Sequence, residues 1–374
     1  MEIKKSILLV TNAFYPELSP RSFRATELAK EFSRRGHDVT VITKYRDHDY
    51  EKFLNEIPIK LKMWKGSRLP VLPDFKRKPF SIMSKSVSRI MGILFEYPAI
   101  EDMFHVKNAL KKETGYDLMI SFAVPYPVQW GVAWASKTNK NISSKWIGDC
   151  GDSYMLARLD KYRKPFYFKY LESGFCQRCD YITIPFKELQ QQFYPQYRSK
   201  IRVVPQGFNF DEVRTVEGKI NNEHPVFIFS GTVIPGKRDL NLFLEYLTSL
   251  DREFLFIVYT NQFGYYESFK KALGYKLELR SYIDRLQLIY EMSKADFLVN
   301  VDTIYDSMSN IEAIPSKLID YSLAERPILN IISSKPDESL VLEFLNKDYS
   351  RRRVIDKERF NIKVIADKFL SFNQ

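Results

Sequence analysis

The sequence predicts an α/β protein built from two doubly wound parallel sheets, and three observations carry that reading. The short apolar runs at 6–11, 118–122, 226–230, 296–301 and 326–332 are nearly continuous rather than alternating. Strands buried on both faces of a parallel sheet have that pattern. Stretches of helical spacing separate the runs, giving the strand–helix–strand alternation of such sheets. Finally, 374 residues are too many for one ordinary core and suit two domains.

Taken in order, the run 6–11 feeds a loop carrying Pro16 and Pro20. Ala25, Leu28, Ala29 and Phe32 then repeat at helical spacing, Gly36 closes that helix, and 38–43 is the next strand. No G-x-G-x-x-G follows the first strand, which excludes a dinucleotide fingerprint. Asp47-His48-Asp49 has metal-binding spacing but falls in a charged stretch that reads as a solvated loop. Residues 51–89 are basic, with Lys76, Arg77, Lys78, Lys85 and Arg89, and Phe80, Met83, Val87, Ile90 and Leu94 form one apolar stripe. The stripe suits a helix lying on an anionic membrane surface, and equally an ordinary amphipathic core helix. After the strand ending near 148, Asp149 and Asp152 stand three apart, beyond a carboxyl end where open α/β sheets gather their sites. Turn-forming aspartates fit there equally well. Cys176 and Cys179 have C-x-x-C spacing, but two further zinc ligands are not evident and both read as packing residues.

The second half opens with the strand 226–230 and the loop Gly231-Thr232-Val233-Ile234-Pro235-Gly236-Lys237-Arg238. One residue separates it from a P-loop, G-x-x-x-x-G-K-[S/T]. The missing hydroxyl is the protein's magnesium ligand there. Further on, Glu312 and Asp320 bracket seven residues, and Pro315-Ser316 opens a helical pattern. Proline is favoured in a helix's first turn, whose free N–H groups and positive dipole end seat phosphate.

The stretch 312–320 resembles the Glu-x7-Glu signature of the retaining GT-B glycosyltransferases of family 4, in its "Pro-Ser-Lys-Leu" variant. Tyr15-Pro16-Glu17, Arg24, Glu27-Leu28-Ala29 and Gly36-His37-Asp38-Val39 are similar to the first forty residues of that family. Pro205-Gln206-Gly207-Phe208-Asn209 resembles its hinge. The resemblance implies two Rossmann-like domains facing each other across a cleft. It implies an N-terminal acceptor-side domain at 1–206, a nucleotide-sugar domain at 207–355, and a C-terminal helix within 356–374 returning to the first domain.

Site roles follow from the same resemblance. Glu312 faces the donor sugar and Asp320 takes the place of the acid that holds the ribose hydroxyls. Lys237 neutralises the leaving diphosphate without metal, with Thr232 standing where the family has arginine. Gly231, Ile314, Pro315 and Ser316 line the donor, and the segment at Tyr282 and Ile283 reads the base through its backbone. Ser19, where the family has glycine, and Arg24 belong to the N-terminal donor loop, and Asp149 or Asp152 accepts the acceptor's proton. No metal and no cofactor beyond the nucleotide-sugar substrate are expected. A sugar-nucleotide epimerase and a P-loop nucleotide-binding protein are the alternatives.

Charge adds an expectation about partners. Residues 1–206 hold 35 Lys+Arg against 21 Asp+Glu, and residues 207–374 hold 22 against 25. A basic first half meets something anionic. No nucleic-acid module is recognisable, and the apolar stripe favours a membrane carrying a lipid-linked glycan acceptor over nucleic acid. Three cysteines form no disulfide framework, and residues 1–5 show no signal-peptide pattern. The expected location is the cytoplasm, peripheral on the inner face of the membrane, with a role in cell-surface polysaccharide synthesis.

Overall fold

The computed structural model describes residues 3–17, 19–65, 69, 80–157, 163–218, 220–236, 238–302, 316–332 and 336–372, with 80–85 and 316 as backbone only. The chain divides into two units, Met1–Phe208 with Phe360–Gln374, and Asn209–Arg359.

The first unit contains, in order, β1 (Ser6–Thr11), α1 (Pro20–Arg34), β2 (Asp38–Lys44), α2 (Glu51–Glu56), β3 (Lys60–Trp64), α3 (Phe80–Phe95) and α4 (Glu101–Ala109). There follow β4 (Tyr116–Ala123), α5 (Pro127–Thr138), β5 (Ser143–Cys150), α6 (Phe168–Arg178), β6 (Tyr181–Ile184) and β7 (Ile201–Val203). All seven strands run parallel in the order β3-β2-β1-β4-β5-β6-β7. Successive residues of β1 serve two cores, as a doubly covered strand must. Ile7 and Leu9 meet Ala25, Leu28 and Phe32 on one face. Leu8 and Val10 meet Val106, Trp130 and Val132 on the other. Burying each large apolar side chain contributes roughly 1.5–3 kcal/mol. Ser19 caps α1 by accepting from the Ser22 N–H at 3.3 Å, and Pro20 occupies its first turn.

The second unit contains β8 (Val226–Ser230), α7 (Asn241–Ser249), β9 (Leu255–Tyr259), α8 (Glu267–Leu273), β10 (Leu277–Arg280), α9 (Arg285–Met292), β11 (Phe297–Asp302), α10 (Ser316–Leu323), β12 (Ile328–Ile332) and α11 (Glu338–Leu345). Its five parallel strands are ordered β10-β9-β8-β11-β12. Phe227 stacks on Phe297 at 4.7 Å and on Phe256 at 4.8 Å, so one aromatic layer spans the three central strands. The chain then returns to the first unit as α12 (Ile362–Ser371). Phe208 and its neighbours pair there: the Phe208 N–H donates to Phe360 O at 2.8 Å and the Ile362 N–H to Phe208 O at 2.9 Å. Ile365 and Phe369 of α12 complete the core beneath α1.

The cysteines are packing residues, as expected: Cys150, Cys176 and Cys179 are buried free thiols, and burial pushes each of them up. Asp47 and Asp49 are exposed, and the Asp49 carboxylate caps the turn entering α2 by accepting from the Glu51 N–H at 2.9 Å. The strand β3 has no counterpart in the sequence reading. Its Lys60, Leu61, Lys62 and Met63 are partly or fully exposed, because it forms the sheet edge. Alternating edge strands of four or five residues carry a weak apolar signal.

Candidate functional site

In both sheets the strand order reverses beside the first strand of the unit, which is the topological switch point where open α/β sheets bind ligands. In the second unit the carboxyl ends of β8 and β11 flank that point. Leaving β8, Gly231 has φ +148°, a conformation that side chains disfavour. The chain then forms a hairpin: Ile234 and Arg238 exchange both backbone hydrogen bonds, at 2.7 and 2.8 Å, around a turn in which Gly236 has φ +72°. The next helix, α7, begins only at Asn241. A P-loop instead runs from its strand straight into a helix opened by the lysine. The hairpin therefore removes the P-loop alternative.

Two cations meet at this switch point. Lys317, in the first turn of α10, runs past Gly231, from which an added Cβ would lie 3.8 Å from the Lys317 Cδ. Its Nζ is buried, lies 5.0 Å from the centre of the Phe229 ring, and has no hydrogen-bond partner. Burial foremost, then the charge of Arg238, push this ammonium down to about 7, with Asp302 pulling the other way. Arg238 has a buried Nε that is likewise without a partner. Beneath them, the Asp302 carboxylate is already satisfied. It accepts from Arg353 Nη1 at 2.9 and 3.0 Å, from Asn300 at 2.9 Å and from Asn330 at 2.8 Å. Among the described residues, the Lys317 Nζ and the Arg238 Nε are thus left without a hydrogen-bond acceptor. A buried charge without a partner is costly. An anion at the switch point would supply the missing partner.

The rest of α10 is fixed from behind. The Tyr321 hydroxyl accepts from the Ser230 N–H at 2.9 Å, tying the helix to the end of β8. Asp320 accepts from Arg285 Nε at 2.8 Å through Oδ1. Burial raises the Asp320 carboxyl while Arg285 pulls it back. Thr232 and Tyr282 are exposed and Ile283 is half-buried at the carboxyl ends of the strands. Lys237, Glu312, Ile314 and Pro315 lie outside the described residues, as does the Ser316 side chain.

In the first unit, the structure corrects two assignments. Asp149, at the end of β5, is 1% exposed and both its oxygens are occupied. Arg24 donates to Oδ2 from Nε at 2.9 Å and to Oδ1 from Nη2 at 2.7 Å, and Thr183 donates to Oδ1 at 2.6 Å. Arg21 adds a contact to Oδ2 at 2.5 Å. Burial alone would raise this carboxyl, yet the two guanidiniums beside it hold it at about 2. It is therefore an ion-pair anchor and not a proton acceptor. Arg24, equally buried, also donates to the carbonyls of Val204 and Pro205, so it braces the exit from β7 instead of facing a donor. Asp152 is exposed and free to act, its own carbonyl fixed by the Tyr126 hydroxyl at 2.6 Å.

Three residues escaped the sequence reading. Lys317 was visible inside the Pro-Ser-Lys-Leu run, and Arg238 stands directly after Lys237, but neither had a signal separating it from a solvated cation. Glu172 of α6 had none at all. Its buried carboxyl accepts from the Met155 N–H at 3.4 Å, beneath the loop after β5, and burial pushes it up to about 7. The approach of α6 depends on Gly148, where a Cβ would sit 2.4 Å from the Phe175 ring.

Two parallel doubly wound units with a C-terminal helix returned to the first make up the GT-B fold. Solved structures with the same architecture include HepE from Anabaena in complex with UDP, with TM-score 0.58, 12% identity, and 98% of this chain and 99% of that one covered. The lipopolysaccharide outer core galactosyltransferase WaaB, in its apo form, gives TM-score 0.58 and 11% identity, covering 98% of both chains. A UDP-N-acetylglucosamine 2-epimerase gives 0.54 and 11%, covering 98% of this chain and 94% of that one. At these identities the likeness establishes the fold. No family model and no curated protein matches the sequence.

Proposed function

We propose that this protein is a glycosyltransferase that moves a sugar from a nucleotide-sugar donor to a glycan acceptor. The observation that carries the reading is the pair of basic side chains Lys317 and Arg238, whose buried Nζ and Nε lack hydrogen-bond partners at the switch point of a GT-B unit. Cleaving a glycosyl–diphosphate bond develops negative charge on the leaving group, and preorganised cations in a partly dry site stabilise that charge. HepE, of the same fold, binds UDP. Lys237 supplies a further cation at the same hairpin, Glu312 orients the sugar, and Asp320, with Oδ1 held by Arg285, presents its other oxygen to the ribose. Asp152, exposed after β5, takes the acceptor's proton. Retention of configuration follows from the resemblance of 312–320 to the family signature.

Among the described residues no three His, Cys, Asp or Glu side chains converge to hold a metal. On the family resemblance, side-chain cations rather than a metal neutralise the diphosphate, and chelator-treated protein is expected to keep its activity. The direct test is to incubate the protein with a panel of nucleotide sugars and a polyprenyl-phosphate glycan and to identify products by NMR. A sugar transferred to the acceptor is expected. An epimerised nucleotide sugar formed without acceptor would instead assign the protein to the activity of the epimerase that shares its fold.

The acceptor is lipid-linked on this reading, and the protein works at an anionic membrane surface on the cytoplasmic side. WaaB, which has the same fold, acts on lipopolysaccharide outer core. Support from this chain is the basic first half together with α3, whose Val87, Ile90, Leu94 and Phe95 are all exposed. Exposure along this stripe favours the surface-helix alternative over the core helix. Lys76, Arg77 and Lys78 lie outside the described residues. No helix among the described residues is long and apolar enough to cross a membrane. Vesicle co-sedimentation checks the idea: binding requires anionic lipid and weakens with salt. Each buried Ile or Leu side chain contributes about 1.5–3 kcal/mol, so Ile90→Glu with Leu94→Glu lowers the partition coefficient roughly a hundredfold or more. Unchanged partitioning of that double variant would show that α3 is not the contact.

A further inference from the structure

We propose that Lys317 takes up a proton when a diphosphate enters the switch point of the second unit, so that donor binding and product release are proton-linked. The inference rests on the nucleotide-sugar reading above and adds to it a regulation of that site.

The geometry motivates it. The Lys317 Nζ is buried, packs on the face of Phe229 and has no hydrogen-bond partner. An ammonium carries three donors, so a fully charged Nζ here leaves all three unsatisfied. The charged groups that face it come from each neighbouring element. Arg238 approaches from the hairpin after β8, and Arg353 from the segment after α11. Asp302 of β11 is spent on Arg353, Asn300 and Asn330. On its own helix, Asp320 is engaged by Arg285. Among the described residues, two like charges and no carboxylate left free favour the neutral amine, in line with a group pushed down to about 7.

A diphosphate diester reverses each of these effects at once. Its two negative charges compensate Arg238, and its oxygens accept the hydrogen bonds that Nζ lacks. The amine then becomes the ammonium, with the proton drawn from solvent. Linkage fixes the sign. Below pH about 7 the lysine is already charged and affinity is flat. Above it each bound diphosphate must bring a proton, and affinity falls towards tenfold per pH unit until the pKa of the bound state is reached. Product release is favoured by the same step at higher pH.

The test has two arms on the full-length protein. Reductive methylation with ¹³C-formaldehyde makes every lysine a dimethylamine whose NMR shift titrates. One resonance with a midpoint near 7 is expected, absent from Lys317→Gln. Calorimetric titration with UDP-glucose and with GDP-mannose, in buffers of different ionisation enthalpy, then counts protons. These ligands are diphosphate diesters and lack the phosphate ionisation near 6 that free phosphomonoesters show. Near one proton taken up per ligand at pH 8 is expected, with Lys317→Arg binding without uptake and without a pH slope. A spectrum with no low-titrating lysine overturns the proposal whatever the ligand result. Binding without proton uptake overturns it too. Failure of both nucleotide sugars to bind, with the titrating lysine present, overturns the donor reading and the linkage that depends on it.

Discussion

Asp149→Ala is expected to destabilise the first unit by roughly 3–5 kcal/mol, the cost of removing one partner from a buried ion pair. The loss leaves the Arg24 guanidinium, 3% exposed, without its carboxylate while it still holds the carbonyls of Val204 and Pro205. For a unit of this size each 1 kcal/mol shifts Tm by about 2–4 °C, so a drop of roughly 6–20 °C should appear in a circular-dichroism melt. The pH dependence follows from the same network. Asp149 is held at about 2 in the folded state, below its unfolded value near 3.9. A depressed carboxyl contributes stability that is present above the unfolded pKa and lost as pH falls through the folded one. About 2–3 kcal/mol therefore disappears between roughly pH 5 and pH 2, and Asp149→Asn removes that acid-dependent part of the stability. A variant with unchanged melting and abolished turnover would return Asp149 to the catalytic list.

The strands of this fold were legible because parallel sheets covered on both faces admit almost nothing but apolar residues. Ser6–Thr11, Asp38–Lys44 and Val226–Ser230 are such runs, and α1 announced itself through Ala25, Leu28, Ala29 and Phe32 between a Ser-Pro start and Gly36. Within 50–115 the legibility was uneven. β3 is an edge strand with exposed lysines and lacks the one-sided burial that periodicity detects, whereas the apolar spacing of α3 did announce a helix and left open only which way it faces, with Val87, Ile90, Leu94 and Phe95 exposed.

The site was legible by position more than by residue. A carboxyl strand end followed by Asp149 and Asp152 did mark the rim of the first sheet, yet the two aspartates differ entirely in environment. Spacing cannot show that Arg21, Arg24 and Thr183, 34 to 128 residues away, converge on one of them. Lys317 illustrates the same limit in reverse. Its neighbours Phe229, Gly231, Arg238 and Asp302 come from two other strand ends, and only their convergence turns an ordinary helical lysine into a buried one.

The cations at the β8 hairpin yield the largest expected effect on catalysis, and replacing them singly distinguishes two assignments. The family resemblance gives the leaving diphosphate to Lys237, while the structure adds Arg238, whose Nε is buried without a partner. Removing one preorganised donor from a developing oxyanion costs about 2.7–4 kcal/mol, or roughly 10²–10³ in kcat. Arg238→Ala is expected to lose that factor with its melting temperature preserved, because its buried Nε has no partner whose loss would cost stability. Its removal even relieves repulsion on Lys317, so the protein should melt at the same or a slightly higher temperature. Lys237→Ala is expected to fall in kcat as well. On the proposed assignment both cations serve one leaving group, so their double variant is expected to lose less than the product of the single losses. Parallel measurements of kcat, KM and Tm on the three variants check this. A fall confined to Lys237→Ala makes Arg238 a structural neighbour, and a fall confined to Arg238→Ala transfers the role from the residue the motif names to the one beside it.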